Sequence, residues 1–296
     1  MRVFVTGATG FVGSAVVKEL IGAGHGVLGL ARSDEGAAAL AAAGSEVLRG
    51  TLAEVDVLRR GADSCDGVAH LGFIHDFSNF LESCAVDQRA IEAMGEALRG
   101  SDRPLLTTSG LALLSPGRVA TEHTPPPDAW PRKSEAAANA LAARGVRAAS
   151  IRLAPSVHGA GDHGFVPMLI GIARKAGVSA YIGDGASRWP GVHRLDAARV
   201  YRLALEQAGP DAHRVYHATA EEGVPTREIA EVIGRRLGIP VKSISPDEAG
   251  PHFGFLAMFF GADCPASSTL TQEWLGWTPT EPGLIADIDG AAYFAA

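Results

Sequence analysis

Residues 3–13 read Val-Phe-Val-Thr-Gly-Ala-Thr-Gly-Phe-Val-Gly. A short apolar run stops at Thr6. Three glycines follow at Gly7, Gly10 and Gly13, and an amphipathic run begins at Phe11 and reaches Leu20. The order predicts strand, tight turn, helix. Gly7 lets the chain reverse with positive φ. Gly10 lets backbone N–H groups approach a pyrophosphate, and Gly13 allows close helix–strand packing. A helix start there offers unpaired N–H donors and partial positive charge. Gly7, Ala8, Thr9, Gly10, Phe11, Val12 and Gly13 are therefore expected to cradle dinucleotide phosphates.

The chain has 296 residues, enough for one large or two modest domains. Its net charge of −7 and lack of a basic run argue against nucleic-acid binding. Cys65, Cys84 and Cys264 have no metal-binding spacing and read as reduced thiols. A strand at the very start leaves no room for a signal peptide. No apolar run reaches the roughly 18 residues of a membrane span. The expectation is a cytoplasmic protein acting on a small molecule, with no membrane and no nucleic acid as partner.

Strand patterns recur at 27–31, 45–48, 67–71, 104–108 and 147–153, with helical patterns at 34–43, 53–60, 77–98 and 134–144, the last opened by Ser134 as N-cap. This alternation predicts an α/β fold, a doubly wound parallel Rossmann sheet with helices on both faces. The dinucleotide-binding domain is expected over 1–157, with 192–218 returning to it. A smaller C-terminal substrate lobe takes 158–191 and 219–296. Within that half, helices are expected at 166–175, 196–207 and 226–237. Short strands are expected at 179–182, 215–217 and 241–244.

The second strand ends in Ala31-Arg32-Ser33. An acidic residue there would bind both adenosine ribose hydroxyls. Arginine instead suits a 2′-phosphate and can stack on adenine. Arg32 and Ser33 therefore point to NADP (NADPH). The alternative is that Arg32 is a solvated charge and Asp34 selects NAD.

Five segments carry a resemblance to the extended or atypical short-chain dehydrogenase/reductases: Thr6–Gly13, His70-Leu-Gly72, Thr107-Thr-Ser109, Ile151–Gly159 and Val192–Ala198. The resemblance spans nearly the whole chain. It is closest in kind to sugar epimerases and proteins like 3β-hydroxysteroid dehydrogenase. It implies NAD(P) binding and hydride transfer at a carbonyl or alcohol. It also implies that Leu71, Gly72, Phe73, Thr107, Thr108, Ala154, Pro155, Ser156 and Val157 line the cofactor. The family's chemistry uses a Tyr-x-x-x-Lys pair on the helix after the fifth strand, whose tyrosine gives a proton to the carbonyl oxygen. None of Tyr181, Tyr201, Tyr216 and Tyr293 has a lysine four residues on. The region reads Pro125 to Glu135 with prolines near both expected positions.

Other residues must then carry the chemistry. Ser109, with Thr108, is the candidate to bind the substrate oxygen, and otherwise a turn hydroxyl. Lys133 is the one lysine near the lost motif, and otherwise a surface residue. His75 is a candidate proton donor because histidine titrates near neutrality, and otherwise caps the next helix. His158, Phe165, Trp189 and His193 are expected to shape the substrate cleft. The histidines lack ligand spacing, so no metal is expected. Residues 253–260 form either an apolar wall or core.

These residues predict an NADP-dependent oxidoreductase acting on a small, fairly apolar carbonyl or alcohol with a non-tyrosine proton donor. The alternatives are an isomerase, epimerase or lyase, and a catalytically silent NADP-binding regulator. A homodimer through the helices at 77–98 and 134–144 is also expected.

Overall fold

The computed structural model describes residues 1–127, 130–207 and 214–294. Its strands are β1 (Arg2–Thr6), β2 (Gly26–Ala31), β3 (Glu46–Arg49), β4 (Gly67–His70), β5 (Leu105–Gly110), β6 (Ala148–Leu153), β7 (Ser156–His158), β8 (Ser179–Ile182), β9 (Arg188–His193), β10 (Val215–Ala218), β11 (Glu221–Pro225) and β12 (Val241–Ile244). Its helices are α1 (Phe11–Gly22), α2 (Asp34–Ala42), α3 (Val55–Asp63), α4 (Phe80–Ala97), α5 (Ser134–Ala143), α6 (Phe165–Ala176), α7 (Arg194–Glu206), α8 (Thr226–Leu237), α9 (Pro246–Phe253), α10 (Leu256–Phe260), α11 (Thr269–Leu275) and α12 (Leu284–Ile288).

Seven strands form one sheet in the order β10-β6-β5-β4-β1-β2-β3. Its pairings are all parallel. Parallel strands covered on both faces must be apolar throughout. Val3, Phe4 and Val5 of β1 have no exposed surface, and Val68 and Ala69 of β4 are equally enclosed. Each such Val or Phe contributes roughly 1.5–3 kcal/mol by burial. Helix α1 presents Gly13, Ala15, Val16, Val17 and Leu20 to one core. On the opposite face Ile91 and Met94 of α4 and Leu141 of α5 pack against Phe4 and Leu105.

The strand order reverses between β1 and β4, where Thr6 lies beside His70. Ligands of open α/β sheets bind in the crevice at such a switch point. The smaller sheets, β11-β9-β7 and β12-β8, stand in the second half of the chain. A second core there gathers Trp189, Phe253, Leu256 and Phe260. Residues 253–260 thus belong mainly to the core, with Phe255 and Met258 of that run left exposed.

Two local expectations are corrected. The pattern at 77–98 is not one helix: a 3-10 turn at Phe77–Asn79 precedes α4. Asp76 caps that turn by accepting from the Ser78 amide at 3.0 Å. Ser134 does not cap α5. Lys133 is the N-cap residue, and the Ser134 hydroxyl instead donates to Asp87 at 2.5 Å. A buried carboxylate is the stronger acceptor.

Candidate active site

The glycine loop is closed by geometry that side chains would break. Gly7 has φ of 65°, and a Cβ there would lie 2.6 Å from the Gly72 nitrogen. A Cβ on Gly13 would lie 2.0 Å from the Gly7 carbonyl oxygen. The Gly10 amide donates to that same oxygen at 2.9 Å. Gly10 is the N-cap of α1, with no side-chain cap and no acidic residue in the first turn. The positive end of the helix dipole is therefore not answered by the loop's own side chains. These residues fit a dinucleotide pyrophosphate. Ser156 Oγ and His158 Nε2 are buried without a hydrogen-bond partner among the described groups. Such atoms in native proteins take partners from outside the chain.

At the end of β2, Ala31 is buried and Arg32 exposed. Ser33 caps α2, its hydroxyl oxygen accepting from the Gly36 amide at 3.1 Å. Sequence reasoning missed Arg49, which reaches the same corner from the end of β3. It donates to the Ser33 carbonyl and pairs with Asp34 at 2.9 Å. Asp34 thus has Arg49 as an exposed ion-pair partner.

The C-terminal end of β5 holds a dense polar cluster. Thr107 and Thr108 were expected to face the ligand, but both hydroxyls turn inward. Thr107 Oγ1 is 2.7 Å from the Ser150 hydroxyl. Thr108 Oγ1 donates to the His70 carbonyl at 2.8 Å and meets the Tyr201 hydroxyl at 2.7 Å. Full burial pushes the Tyr201 phenol far up, which makes it a weak acid held in the core. Ser109 remains half-buried. Its hydroxyl donates to Glu135 at 3.3 Å.

Glu135 reaches Ser109 from the first turn of α5 and forms a bidentate pair with Arg152, at 2.6 and 2.8 Å. No Tyr-x-x-x-Lys pair stands in the stretch before or within the first turn of α5, where prolines occupy positions 125, 126, 127 and 131. Arg152 is 1% exposed, and its further partners are the Thr124 carbonyl at 2.8 Å and His217 Nε2 at 3.1 Å. His217 gives its Nδ1 proton to the Ser267 carbonyl at 2.7 Å. Burial first, then the Arg152 charge, drops the His217 pKa to about 3.

A second buried chain begins at Thr6. Its hydroxyl accepts from the Gly72 amide at 3.1 Å and meets His70 Nδ1 at 2.7 Å. His70 Nε2 lies 3.2 Å from Asp87, which accepts from Ser134. Burial raises the Asp87 carboxyl, but His70, Arg132 and Ser134 outweigh it and hold it below the usual range. The chain ends on Arg132, which sequence reasoning missed. Arg132 Nε donates to Ser134 at 2.8 Å, and Nη2 donates to the Thr108 carbonyl at 2.7 Å. Its guanidinium lies over Phe73, 4.2 Å from the ring centre. Only an arginine following a proline marked it in the sequence.

His75 sits on the loop after β4, edge-on to Phe73 at 5.2 Å. It is exposed to the cleft, yet desolvation by surrounding protein, then Arg132 and His163, hold its imidazole below the usual value. Lys133 is half-buried at the N-cap of α5.

The residues expected to shape the substrate cleft divide. Trp189 is fully buried, packs on Phe260 at 5.2 Å and donates its indole N–H to the Phe259 carbonyl at 2.9 Å. It is a core residue and offers no surface to a ligand. His158 is also fully enclosed and pairs through Nδ1 with Asp287 at 2.8 Å. Phe165 is half-buried against Trp189. His193 is half-buried, and desolvation with the His158 charge lowers its pKa.

This architecture has close counterparts. A sequence model of the NAD dependent epimerase/dehydratase family matches residues 3–94. An uncharacterized protein of Schizosaccharomyces pombe is 54% identical over 99% of this chain and all of its own length. One from Saccharomyces cerevisiae is 47% identical over 97% of this chain and 98% of its own. More distant relatives include epimerases and reductases. The structure of Thermus thermophilus UDP-glucose 4-epimerase with NAD superposes with a TM-score of 0.75 at 21% identity, each chain covered in full. The chain belongs to the NAD-dependent epimerase/dehydratase family, of the extended short-chain dehydrogenase/reductase type.

Proposed function

We propose that this protein is an NADP-dependent oxidoreductase that moves hydride to or from a small, fairly apolar carbonyl or alcohol. One juxtaposition carries this reading: the glycine loop packs on Leu71 and Gly72, His75 follows on the loop after β4, Ser109 ends β5, and Arg132, in the loop before α5, donates to the Thr108 carbonyl of β5. Such a crevice supports the reading of a dinucleotide bound beside polar groups able to hold a substrate oxygen. When bound, the cofactor supplies or takes the hydride. Arg32 and Arg49 favour a 2′-phosphate, because Ala31 gives no carboxylate to the ribose. A relative named 2-alkyl-3-oxoalkanoate reductase, 26% identical over 81% of this chain, fits the reaction class.

The lack of a Tyr-x-x-x-Lys pair favours a second reading, in which the fold binds NADP without net redox turnover, as a regulator or as an epimerase-like enzyme. The test is absorbance of NADPH with a panel of aldehydes and ketones. Turnover of any member supports the first reading. Tight NADPH binding without turnover overturns it in favour of the second.

A further inference from the structure

No Tyr-x-x-x-Lys pair is present, but a fixed arginine stands in the loop before α5. Arg132 adjoins Pro131 and is held on three sides: by Ser134, by the Thr108 carbonyl and by the Phe73 ring. Thr6, His70, Asp87 and Ser134 behind it are all at most 1% exposed. A buried polar run thus extends from the phosphate loop to one cation. Buried polar groups are costly unless every member is satisfied, so this run fixes Arg132 in one orientation. Among the described residues, no carboxylate pairs directly with Arg132, and its Nη1 has no hydrogen-bond partner.

The neighbouring groups are committed elsewhere. The Ser109 proton points to Glu135. The Thr108 and Tyr201 hydroxyls bond each other. Arg132 is left as the fixed donor at the end of β5.

We propose that Arg132 is a catalytic residue whose Nη1 binds the substrate carbonyl oxygen where relatives use a tyrosine hydroxyl, with Ser134, Asp87 and His70 as positioning residues. This rests on the oxidoreductase reading. As the carbonyl carbon gains the hydride that reduced nicotinamide supplies, a C–H bond forms and the C=O π pair moves to oxygen. The guanidinium stabilises that oxyanion, and a preoriented donor of this kind is worth about 10²–10³ in rate. A guanidinium does not deprotonate in proteins. The proton that completes the alcohol therefore comes from the protonated imidazole of His75 or from water, and oxidised nicotinamide is left.

The experiment uses the full chain with NADPH and has two arms. In the first, carboxylates from acetate to benzoate, as isosteres of the oxyanion, are titrated against the fluorescence of bound NADPH. Wild type is expected to bind at least one. Arg132→Met should weaken it about tenfold or more, as loss of a charge-assisted pair requires, and Arg132→Lys should weaken it less. NADPH affinity should change less than about twofold, a check that the variants fold. In the second arm, kcat on a reducible carbonyl should fall about 100-fold in Arg132→Met and rise again with millimolar guanidinium ion. Asp87→Asn should lie between the two. Absence of carboxylate binding in wild type, equal binding in Arg132→Met, or an unchanged kcat overturns the proposal. No turnover by wild type with any carbonyl overturns the oxidoreductase reading instead, and the proposal with it; the carboxylate arm then still reports whether Arg132 holds an anion.

Discussion

Glu135 stands between Ser109 and Arg152: it accepts the serine hydroxyl at 3.3 Å and grips the guanidinium with both oxygens at 2.6 and 2.8 Å. Arg152 is almost fully buried, so that carboxylate is what offsets the cost of burying its charge. Removing one member of a buried pair strands the other and costs about 3–5 kcal/mol. Glu135→Ala should therefore lower stability by about that much, read by urea unfolding. A Glu135→Ala, Arg152→Met double variant should recover part of the loss. A double variant no more stable than Glu135→Ala would show that the pair is not the source of the cost.

The same network makes stability depend on pH through His217. Its pKa falls from about 6.5 in the unfolded chain to about 3 in the fold. The folded state therefore binds fewer protons than the unfolded state between these values. Above pH 6.5 the imidazole is neutral in both and adds nothing. Below pH 6.5 stability should fall by up to about 1.4 kcal/mol per pH unit, ending near pH 3. Urea midpoints across pH 7 to 4 measure this, and His217→Gln should flatten that part of the profile. An unchanged profile in the variant would mean other groups govern acid sensitivity.

The glycine loop should tolerate almost nothing. At Gly13 an added methyl would stand 2.0 Å from a backbone oxygen. No rotamer relieves a clash between backbone and Cβ, so α1 must move away from the loop. Gly13→Ala should abolish measurable NADPH binding, by fluorescence titration, before it unfolds the protein. Gly22→Ala, whose Cβ would meet nothing within 4 Å, should bind NADPH normally and slightly stabilise α1.

Much of this fold is legible in the sequence because its strands are short apolar runs between strong punctuation. Gly7, Gly10 and Gly13 mark the first turn, and the alternation from β1 to β6 follows. The strands β7, β9 and β11 are not legible, because Ser156–His158 and Glu221–Pro225 show no alternation and exist only through pairing with β9. In the candidate site, Ser109 stands in β5 and His75 on the loop after β4, positions that the strand pattern gives. Arg132, Arg152 and Glu135 escape notice because their meaning lies in partners distant in sequence: Thr108 for Arg132, Ser109 for Glu135, and Glu135 and His217 for Arg152. Trp189 misleads for the opposite reason. An aromatic residue beside a motif looks like a cleft wall, but hydrophobic area draws it into the core.

Cofactor choice is the last relationship that a measurement can decide. Arg32 is exposed at the end of β2, and Arg49 pairs with Asp34 beside it. A 2′-phosphate would meet two guanidinium groups there, whereas the Asp34 carboxylate, an acceptor for the ribose hydroxyls of NAD, is already paired with Arg49. A charge-assisted bond of this sort contributes about 1.5–3 kcal/mol, or roughly tenfold to 100-fold in affinity. Arg32→Ala should weaken NADPH by that factor and leave NADH within about twofold. Arg49→Ala should do the same to a smaller degree and also release Asp34, which then repels the phosphate. Titrating both cofactors against both variants by fluorescence reads the ratio directly. An Arg32→Ala protein that keeps its full preference for NADPH would leave the corner between β2 and β3 without a role in selecting the phosphate.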